Sequence, residues 1–176
     1  MNDSILQLFD VQQGHQQELR MSSAGVRIGK LRRLKANILK FESRIFEALE
    51  ADLRKNAYES ALTEVYFIYS EIDYAIKHLP SWMRKKCKPY TFTSFLSKNW
   101  IQYESLGTSL IISPWNYPFQ LSMSPLVSAI AAGCSVILKP SEYSPKTSEV
   151  IKDLIEESFS EKEVKCLLGE KELATE

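Results

Sequence analysis

One stretch of the sequence, residues 107–142, constrains the fold more than any other. It reads GTSLIISPWNYPFQLSMSPLVSAIAAGCSVILKPSE, with apolar runs at residues 109–112 and 135–138. The first run is rich in Leu and Ile and does not alternate with polar residues, which predicts a strand covered on both faces. A helical pattern lies between the two runs, beginning near Pro118 and stopping at Gly133. The stretch therefore predicts a strand–helix–strand unit, whose right-handed crossover makes the two strands parallel.

The helix predicted inside this stretch contains Pro125, which removes one helix hydrogen bond. Two alternatives are open: the helix kinks at Pro125, or a new helix starts there with Ser124 as its cap. After the second strand, Ser144 and Pro145 begin another helix, and residues 164–168 form a short third strand. The predicted fold class is therefore α/β, with amino-terminal helices followed by the β-α-β-α-β units of a Rossmann-like parallel sheet.

The chain before residue 90 is rich in charge and predicts helices, with two apolar stripes at steps of three and four. The first stripe is Leu31, Leu34, Ile38, Phe41, Ile45 and Leu49, and the second is Ala61, Val65, Ile68, Ile72, Ala75 and Leu79. Neither stripe extends much beyond three heptads, which favours a helix pair packed on the later domain over a coiled coil. We expect Pro80 and the basic run at residues 84–86 to end the second helix.

Residues rich in Thr and aromatic side chains connect the helices to the α/β part. Residues 90–96 and 98–104 show near alternation, and both segments are predicted to be strands. The sequence therefore divides into a helical region at 1–89, extended arm-like strands at 90–105 and an α/β part at 106–176.

Charge and cysteine content exclude several classes of protein. The 176 residues carry 22 basic and 22 acidic side chains, so no global field recruits nucleic acid or a membrane surface. The first residues show no basic segment followed by an apolar run, so no signal peptide is predicted. No apolar run reaches the roughly 18 residues that a membrane helix needs. Cys87, Cys134 and Cys166 fit neither a disulfide framework nor a zinc site. We therefore expect a cytoplasmic protein and predict no metal site.

Polar residues follow both predicted strands, at the carboxyl ends where open α/β sheets bind ligands. Asn116 follows the first strand, and Lys139 and Glu142 follow the second. Each has a simpler interpretation: Asn116 tolerates a turn between two prolines, and Lys139 with Glu142 forms a surface ion pair. No GxGxxG sequence is present, so the usual dinucleotide fingerprint does not support cofactor binding.

Three separated motifs, PWNYP at 114–118, AAG at 131–133 and KPSE at 139–142, resemble the aldehyde dehydrogenase family in their order and spacing. The closest branch is class-3-like, and the resemblance extends from the first helices to residue 176. It implies the amino-terminal part of an NAD- or NADP-dependent homo-oligomer that oxidises small-molecule aldehydes to carboxylic acids. One departure is visible, because Arg54-Lys55 stands where the family often has Gly-Lys.

The resemblance also implies roles for individual residues. Asn116 helps to form an oxyanion hole, which stabilises the negative charge that develops when a cysteine thiolate attacks the aldehyde. Lys139 and Glu142 bind the adenosine ribose of the cofactor, although Trp115 could equally belong only to the core. The cofactor-binding residues that the resemblance implies are Ile112, Ser113, Pro114, Trp115, Lys139, Ser141 and Glu142.

The nucleophilic cysteine and the glutamate general base of the family match no position in this sequence. None of the three cysteines lies in the nucleophile's motif, so we expect that these 176 residues alone do not oxidise an aldehyde. Two functions therefore remain open. The chain is either the amino-terminal portion of an aldehyde dehydrogenase or a non-catalytic truncated module with a structural or interaction role.

Overall fold

The computed structural model describes residues 3–95 and 97–169, and helices make up most of the chain before residue 83. These are α1 (Asp3–Met21), α2 (Ala24–Leu53), α3 (Ala57–Ser60) and α4 (Tyr66–Trp82). A π-helical turn at Ala61–Val65 joins α3 to α4, so that the two run as one helix with a local widening. No helix in the described ranges is both long and apolar enough to cross a membrane.

The two apolar stripes lie where the periodicity predicted them, on α2 and on the α3–α4 helix. All of their members are buried except Ala61, which is half-buried at the π-helical turn. Both stripes join one core cluster with α5, α6 and the sheet. The helices therefore pack on the later part of the same chain, as the intramolecular alternative predicted.

The segment after α4 differs from its prediction. Helix α4 passes Pro80 and ends at Trp82. Strand β1 (Lys86–Lys88) then pairs antiparallel with β2 (Asn99–Ile101), placing Cys87 opposite Trp100. Part of the basic run is therefore strand rather than helix end.

The strand predicted at residues 90–96 is wrong over residues 90–95, and Leu96 lies outside the described residues. A 3-10 turn at Phe92–Ser94 takes its place. The Thr91 N–H donates to Ser94 Oγ at 2.9 Å, and both side chains take part in a reciprocal cap. Such local side-chain bonds offer the backbone an alternative to a strand ladder. Of the second predicted strand, only Asn99–Ile101 is extended in a ladder.

The α/β part has the predicted β-α-β-α-β order. Its elements are β3 (Thr108–Ile112), α5 (Pro118–Ala132), β4 (Ser135–Lys139), α6 (Pro145–Ser158) and β5 (Val164–Cys166). The three strands are parallel in the order β3-β4-β5. Helix α5 continues through Pro125 without a new start, and it ends at Gly133, whose φ of 82° is the left-handed conformation that favours glycine.

The sheet buries β4 but not β3, which corrects one prediction. All five residues of β4 are buried, whereas in β3 only Ile111 is buried and Leu110 and Ile112 are 64% and 54% exposed. Among the described residues, β3 pairs with β4 alone, while β4 has a strand on each side. The first strand is therefore an edge strand covered on one face, although its composition resembles that of a fully covered strand.

Candidate functional site

The parallel pairing of β3 and β4 brings the two polar loops to one edge of the sheet. Ile112, the last residue of β3, pairs in register with Lys139, the last residue of β4. The ladder continues one step further, because the Ser113 N–H donates to the Lys139 carbonyl oxygen at 3.1 Å. The loop that carries PWNYP and the loop that carries KPSE therefore leave the sheet side by side.

The loop after β3 exposes its side chains. Pro114 and Asn116 are exposed, and Trp115 is 52% exposed, so Trp115 is not a core residue in this structure. No hydrogen bond joins the side-chain amide of Asn116 to another part of the described chain, which leaves its N–H groups free to meet a ligand. Ser113 is buried, and its hydroxyl lies 2.6 Å from the Ser122 hydroxyl on α5.

Two buried charged residues outside this loop hold it in place. Lys55 Nζ donates to Glu64 Oε1 at 2.5 Å and to the carbonyl oxygen of Asn116 at 3.0 Å. The same ammonium lies 3.9 Å from the centroid of the Tyr117 ring, a cation–π distance. Glu64 is fully buried and Lys55 is 8% exposed. The loop therefore rests on a buried ion pair that comes from the helical region.

Glu64 also caps the helix that follows the loop. Its Oε2 accepts the N–H groups of Phe119 at 2.9 Å and Gln120 at 3.2 Å, in the first turn of α5. Tyr117 stands at the cap position of this helix, and its side chain makes no capping bond. A carboxylate at a helix amino terminus satisfies free N–H groups and interacts favourably with the helix dipole. Glu64 thus does from another element what a Ser or Asp at the cap position ordinarily does.

The loop after β4 holds its charged residues by itself. Lys139 is 5% exposed, and its Nζ donates to Glu142 Oε2 at 2.8 Å and to the Pro140 carbonyl oxygen at 3.4 Å. The hydrogen bond from Lys139 lowers the pKa of the Glu142 carboxyl. One ammonium N–H of Lys139 and Glu142 Oε1 remain without a partner here, so the pair retains one donor and one acceptor.

Ser141 ties this loop to α6. Its hydroxyl oxygen accepts the Tyr143 N–H at 3.2 Å, and its carbonyl oxygen accepts the Ser148 hydroxyl at 2.9 Å. The first turn of α6 is capped from the end of α2, because the Asp52 carboxylate accepts the N–H groups of Lys146 and Thr147. Ser141 therefore shapes the loop, while Lys139 and Glu142 carry the charges at the sheet edge.

The supporting residues Lys55, Glu64 and Asp52 were not predicted from the sequence. One signal was present for Lys55, which occupies the lysine position of the Gly-Lys pair that the family resemblance identified. A second signal was the position of Glu64, four residues before the buried Ile68 and hence on the same helix face. A carboxylate on an apolar stripe requires a partner, and here the partners are Lys55 and the start of α5.

The three cysteines, which all lie in the described part of the chain, are remote from Asn116. Cys134 is half-buried just before β4, at the amino end of that strand, and its Sγ lies 3.3 Å from Ser105 Oγ. Cys166 is buried within β5, and this burial raises the pKa of its thiol to about 12. Cys87 is exposed in β1. None of these thiols lies in either strand-end loop.

Comparison with known proteins assigns the chain to a known family. The aldehyde dehydrogenase family model matches residues 5–176. The chain belongs to the aldehyde dehydrogenase family. PWNYP, AAG and KPSE all lie within the matched residues.

Several of the relatives are members of aldehyde dehydrogenase family 3, in agreement with the class-3-like motifs. The chain is 36% identical to AldX of Bacillus subtilis over its whole length. It is 42% identical to the 4,4'-diaponeurosporen-aldehyde dehydrogenase of Staphylococcus aureus over 80% of its length. It is 39% identical to mouse aldehyde dehydrogenase family 3 member B3 over 71% of its length.

A solved structure agrees with the same assignment. The substrate-bound structure of Staphylococcus aureus AldH superposes with a TM-score of 0.92 at 38% identity, over 97% of this chain and 37% of that chain. The chain spans 39% of AldX, 30% of the 4,4'-diaponeurosporen-aldehyde dehydrogenase and 26% of the mouse protein. The similarity therefore covers this chain almost completely and its relatives in part.

Proposed function

We propose that this chain is the amino-terminal portion of an NAD(P)-dependent aldehyde dehydrogenase that oxidises aldehydes to carboxylic acids. The observation that carries this proposal is the pairing of Ile112 with Lys139, which sets the PWNYP and KPSE loops next to each other at one sheet edge. Ligands of open α/β sheets bind at that edge. Family membership supplies the class of reaction, and the two loops supply the groups that take part in it.

The sheet edge fits NAD or NADP. Lys139 and Glu142 offer one free donor and one free acceptor side by side, which suits the neighbouring hydroxyls of a ribose. Ile112 and Trp115 expose apolar surface at the same edge, and Ser113, Pro114 and Ser141 lie in the same two loops. When bound, the cofactor accepts the hydride, and these residues hold it in place.

Asn116 provides the group that acts on the reacting aldehyde. Its side-chain amide is exposed in the loop that leaves the sheet beside the KPSE loop, and it has N–H donors without a partner in the described chain. Those donors stabilise the negative charge that develops on the aldehyde oxygen during attack by a thiolate. The attacking thiolate comes from none of the cysteines described above, because Cys166 is buried and Cys134 lies at the opposite end of β4.

The catalytic role of Asn116 is tested in the protein made from the complete reading frame that contains this sequence. We expect Asn116→Ala to lower kcat about 10²–10³-fold, the effect of losing one oxyanion donor, with unchanged cofactor affinity. Ser128→Ala, on the exposed side of α5, is the control and should leave kcat unchanged. Unchanged turnover in Asn116→Ala, measured where chemistry limits the rate, would refute the oxyanion role.

The cofactor role is tested by calorimetric titration of the same protein with NAD and with NADP. We expect Lys139→Met to weaken binding of the preferred cofactor about tenfold, because it removes the donor and releases the partner carboxylate. Lys146→Met is the matched control, since Lys146 is exposed and pairs with Glu149 on α6. Equal affinities in Lys139→Met and wild type would contradict the ribose assignment.

The cysteine positions favour one second candidate, a non-catalytic module. The 176 residues by themselves present an oxyanion donor and ribose-binding groups but no thiol at the site. The purified chain, free of host dehydrogenases, should therefore not reduce the cofactor with any of a panel of aliphatic and aromatic aldehydes. Turnover that disappears in Cys134→Ser or Cys166→Ser would place the nucleophile inside these residues.

Association into a homo-oligomer and a cytoplasmic location are part of the proposal. Among the described residues β3 pairs on one side only, and the aromatic rings between residues 90 and 103 are exposed, so both surfaces are open to contact with another chain. The three free cysteines are consistent with a reducing compartment. Light scattering at high concentration tests the first expectation, and alkylation of the thiols in intact cells tests the second.

A further inference from the structure

We propose that Lys55 and Glu64 are positioning residues that fix the direction of Asn116 and thereby control turnover. This inference rests on the proposed function, because it assigns to Asn116 the oxyanion contact. Lys55 and Glu64 are buried and contact the loop from the helical region. They restrain Asn116 through its backbone carbonyl and through the start of α5.

The first part of the argument is the geometry of Lys55. Its ammonium contacts the loop at two consecutive residues, the carbonyl oxygen of Asn116 and the ring of Tyr117. The bond from Lys55 to this carbonyl oxygen is partly buried, so it is shielded from competing water and restricts the orientation of the Asn116 backbone.

The second part is the geometry of Glu64. Its two oxygens join Lys55 to the N–H groups of Phe119 and Gln120, so the ammonium and the helix start share one carboxylate. On the other side of the loop, Ser113 is fixed by its N–H bond to the β4 backbone. The residues from 114 to 117 are thus held at both ends and once near the middle.

The third part of the argument is the free-energy cost of burying Lys55 and Glu64. Taking a lysine and a glutamate out of water carries a desolvation penalty that their attraction repays only with good geometry. An ordinary Ser, Asp or Asn at the position of Tyr117 would cap α5 without any buried charge. The arrangement that is present instead adds a restraint on Asn116, and catalytic geometry is sensitive to displacements of about 1 Å.

The test is a double-mutant cycle on kcat in the protein from the complete reading frame. Lys55→Met keeps the volume of the chain and removes the ammonium. We expect it to lower kcat about 10–100-fold when Asn116 is present, with the KM for cofactor changed by less than about twofold. In the Asn116→Ala background, we expect Lys55→Met to change kcat by less than about threefold. Equal losses in both backgrounds would overturn the proposal, because Lys55 would then act independently of Asn116.

A second measurement is independent of turnover. Selective labelling of asparagine with ¹⁵N reports the amide signals of Asn116, with Asn37 and Asn99 as internal references. We expect Lys55→Met to shift and broaden the Asn116 signals while the two reference residues keep their positions. Unchanged Asn116 signals in a folded Lys55→Met protein would also overturn the proposal.

One further variant, together with the result for Asn116→Ala, keeps the two hypotheses separable. If Lys55→Met does not fold, Lys55→Gln, which retains an N–H donor without the charge, takes its place in both measurements. If Asn116→Ala leaves kcat unchanged, the oxyanion role is refuted. The proposal that Lys55 controls kcat through Asn116 is then refuted as well. The asparagine signals then decide only whether Lys55 orders the loop, and a shifted Asn116 signal supports that restraint.

Discussion

The two loops at the sheet edge lie side by side, and they are stabilised in opposite ways. The loop after β3 exposes Asn116 and depends on Lys55 and Glu64, which come from the helical region. The loop after β4 buries Lys139 and pairs it with Glu142 within the same turn. A loop whose polar side chain faces outward makes few contacts of its own, so residues of other elements hold it in one conformation. A loop with an internal ion pair supplies part of its own order.

The helices after the two loops show the same contrast. Each begins without a capping bond from its own cap residue, and each receives a carboxylate from the helical region. Glu64, which caps α5, is fully buried and paired with Lys55. Asp52, which caps α6, is half-buried at the end of α2, where water also reaches it. The difference in burial predicts different costs for removing each carboxylate.

The largest effect is expected from Glu64→Ala, which removes the anchor of the β3 loop. We expect the free energy of unfolding to fall by about 3–5 kcal/mol, because Lys55 is left buried without its counter-charge. Chemical denaturation measures this change. Glu47→Ala, in an exposed position in the middle of α2, is the control and should change stability by about 0.5 kcal/mol or less. A similar small loss in Glu64→Ala would mean that the buried pair does not stabilise the loop.

Asp52→Ala tests the other carboxylate. We expect a loss of about 1–2 kcal/mol, the usual cost of losing a helix amino-terminal cap, because water replaces part of the contact. The comparison requires this loss to be smaller than that of Glu64→Ala in the same denaturation experiment. Asp73→Ala, which breaks the exposed pair with Lys35, is the control. Equal losses at Asp52 and Glu64 would remove the distinction between the two loops.

Arg54→Gly sharpens the comparison, since Arg54 lies next to Lys55 at the end of α2. Its φ of 58° is the left-handed conformation, and its N–H donates to the Glu50 carbonyl oxygen. This conformation costs a non-glycine residue roughly 1–2 kcal/mol, while glycine loses more entropy on folding. We therefore expect Arg54→Gly to raise the melting temperature slightly. A clear decrease would show that the Arg54 side chain makes a stabilising contact.

The smallest effect is expected from acid titration of the β4 loop. The Lys139 hydrogen bond lowers the pKa of Glu142 in the folded protein, so this pair stabilises the fold above the ordinary carboxyl pKa. That contribution is lost as the pH falls through the lowered pKa. We expect wild type to be more stable than Glu142→Gln at neutral pH, with the difference vanishing in acid. A difference that persists unchanged in acid would exclude the ion pair as its source.

The parts of the fold that the sequence predicted are those with strong local signals. Gly133 marked the end of α5, and the apolar runs marked β3 and β4 within one residue at each end. The stripes on α2 and α4 identified the buried faces of both helices. Residues 90–95 were misassigned as a strand, because the side chains of Thr91 and Ser94 bond to the local backbone and offer it an alternative to a strand ladder. Composition alone does not distinguish a strand from a 3-10 turn in this segment.

The sequence by itself determined the order of the elements, the position of Asn116, Lys139 and Glu142 after strands, and the resemblance to a family. Only the tertiary structure showed that one face of β3 is exposed and that Lys55 and Glu64 support the loop of Asn116. The physical reason is the range of the interactions. Helix ends and apolar runs depend on neighbours a few residues away. Lys55 bonds to Asn116 across 61 positions of sequence and Glu64 bonds to Phe119 across 55, and these contacts form only after the helical region has packed against the α/β part.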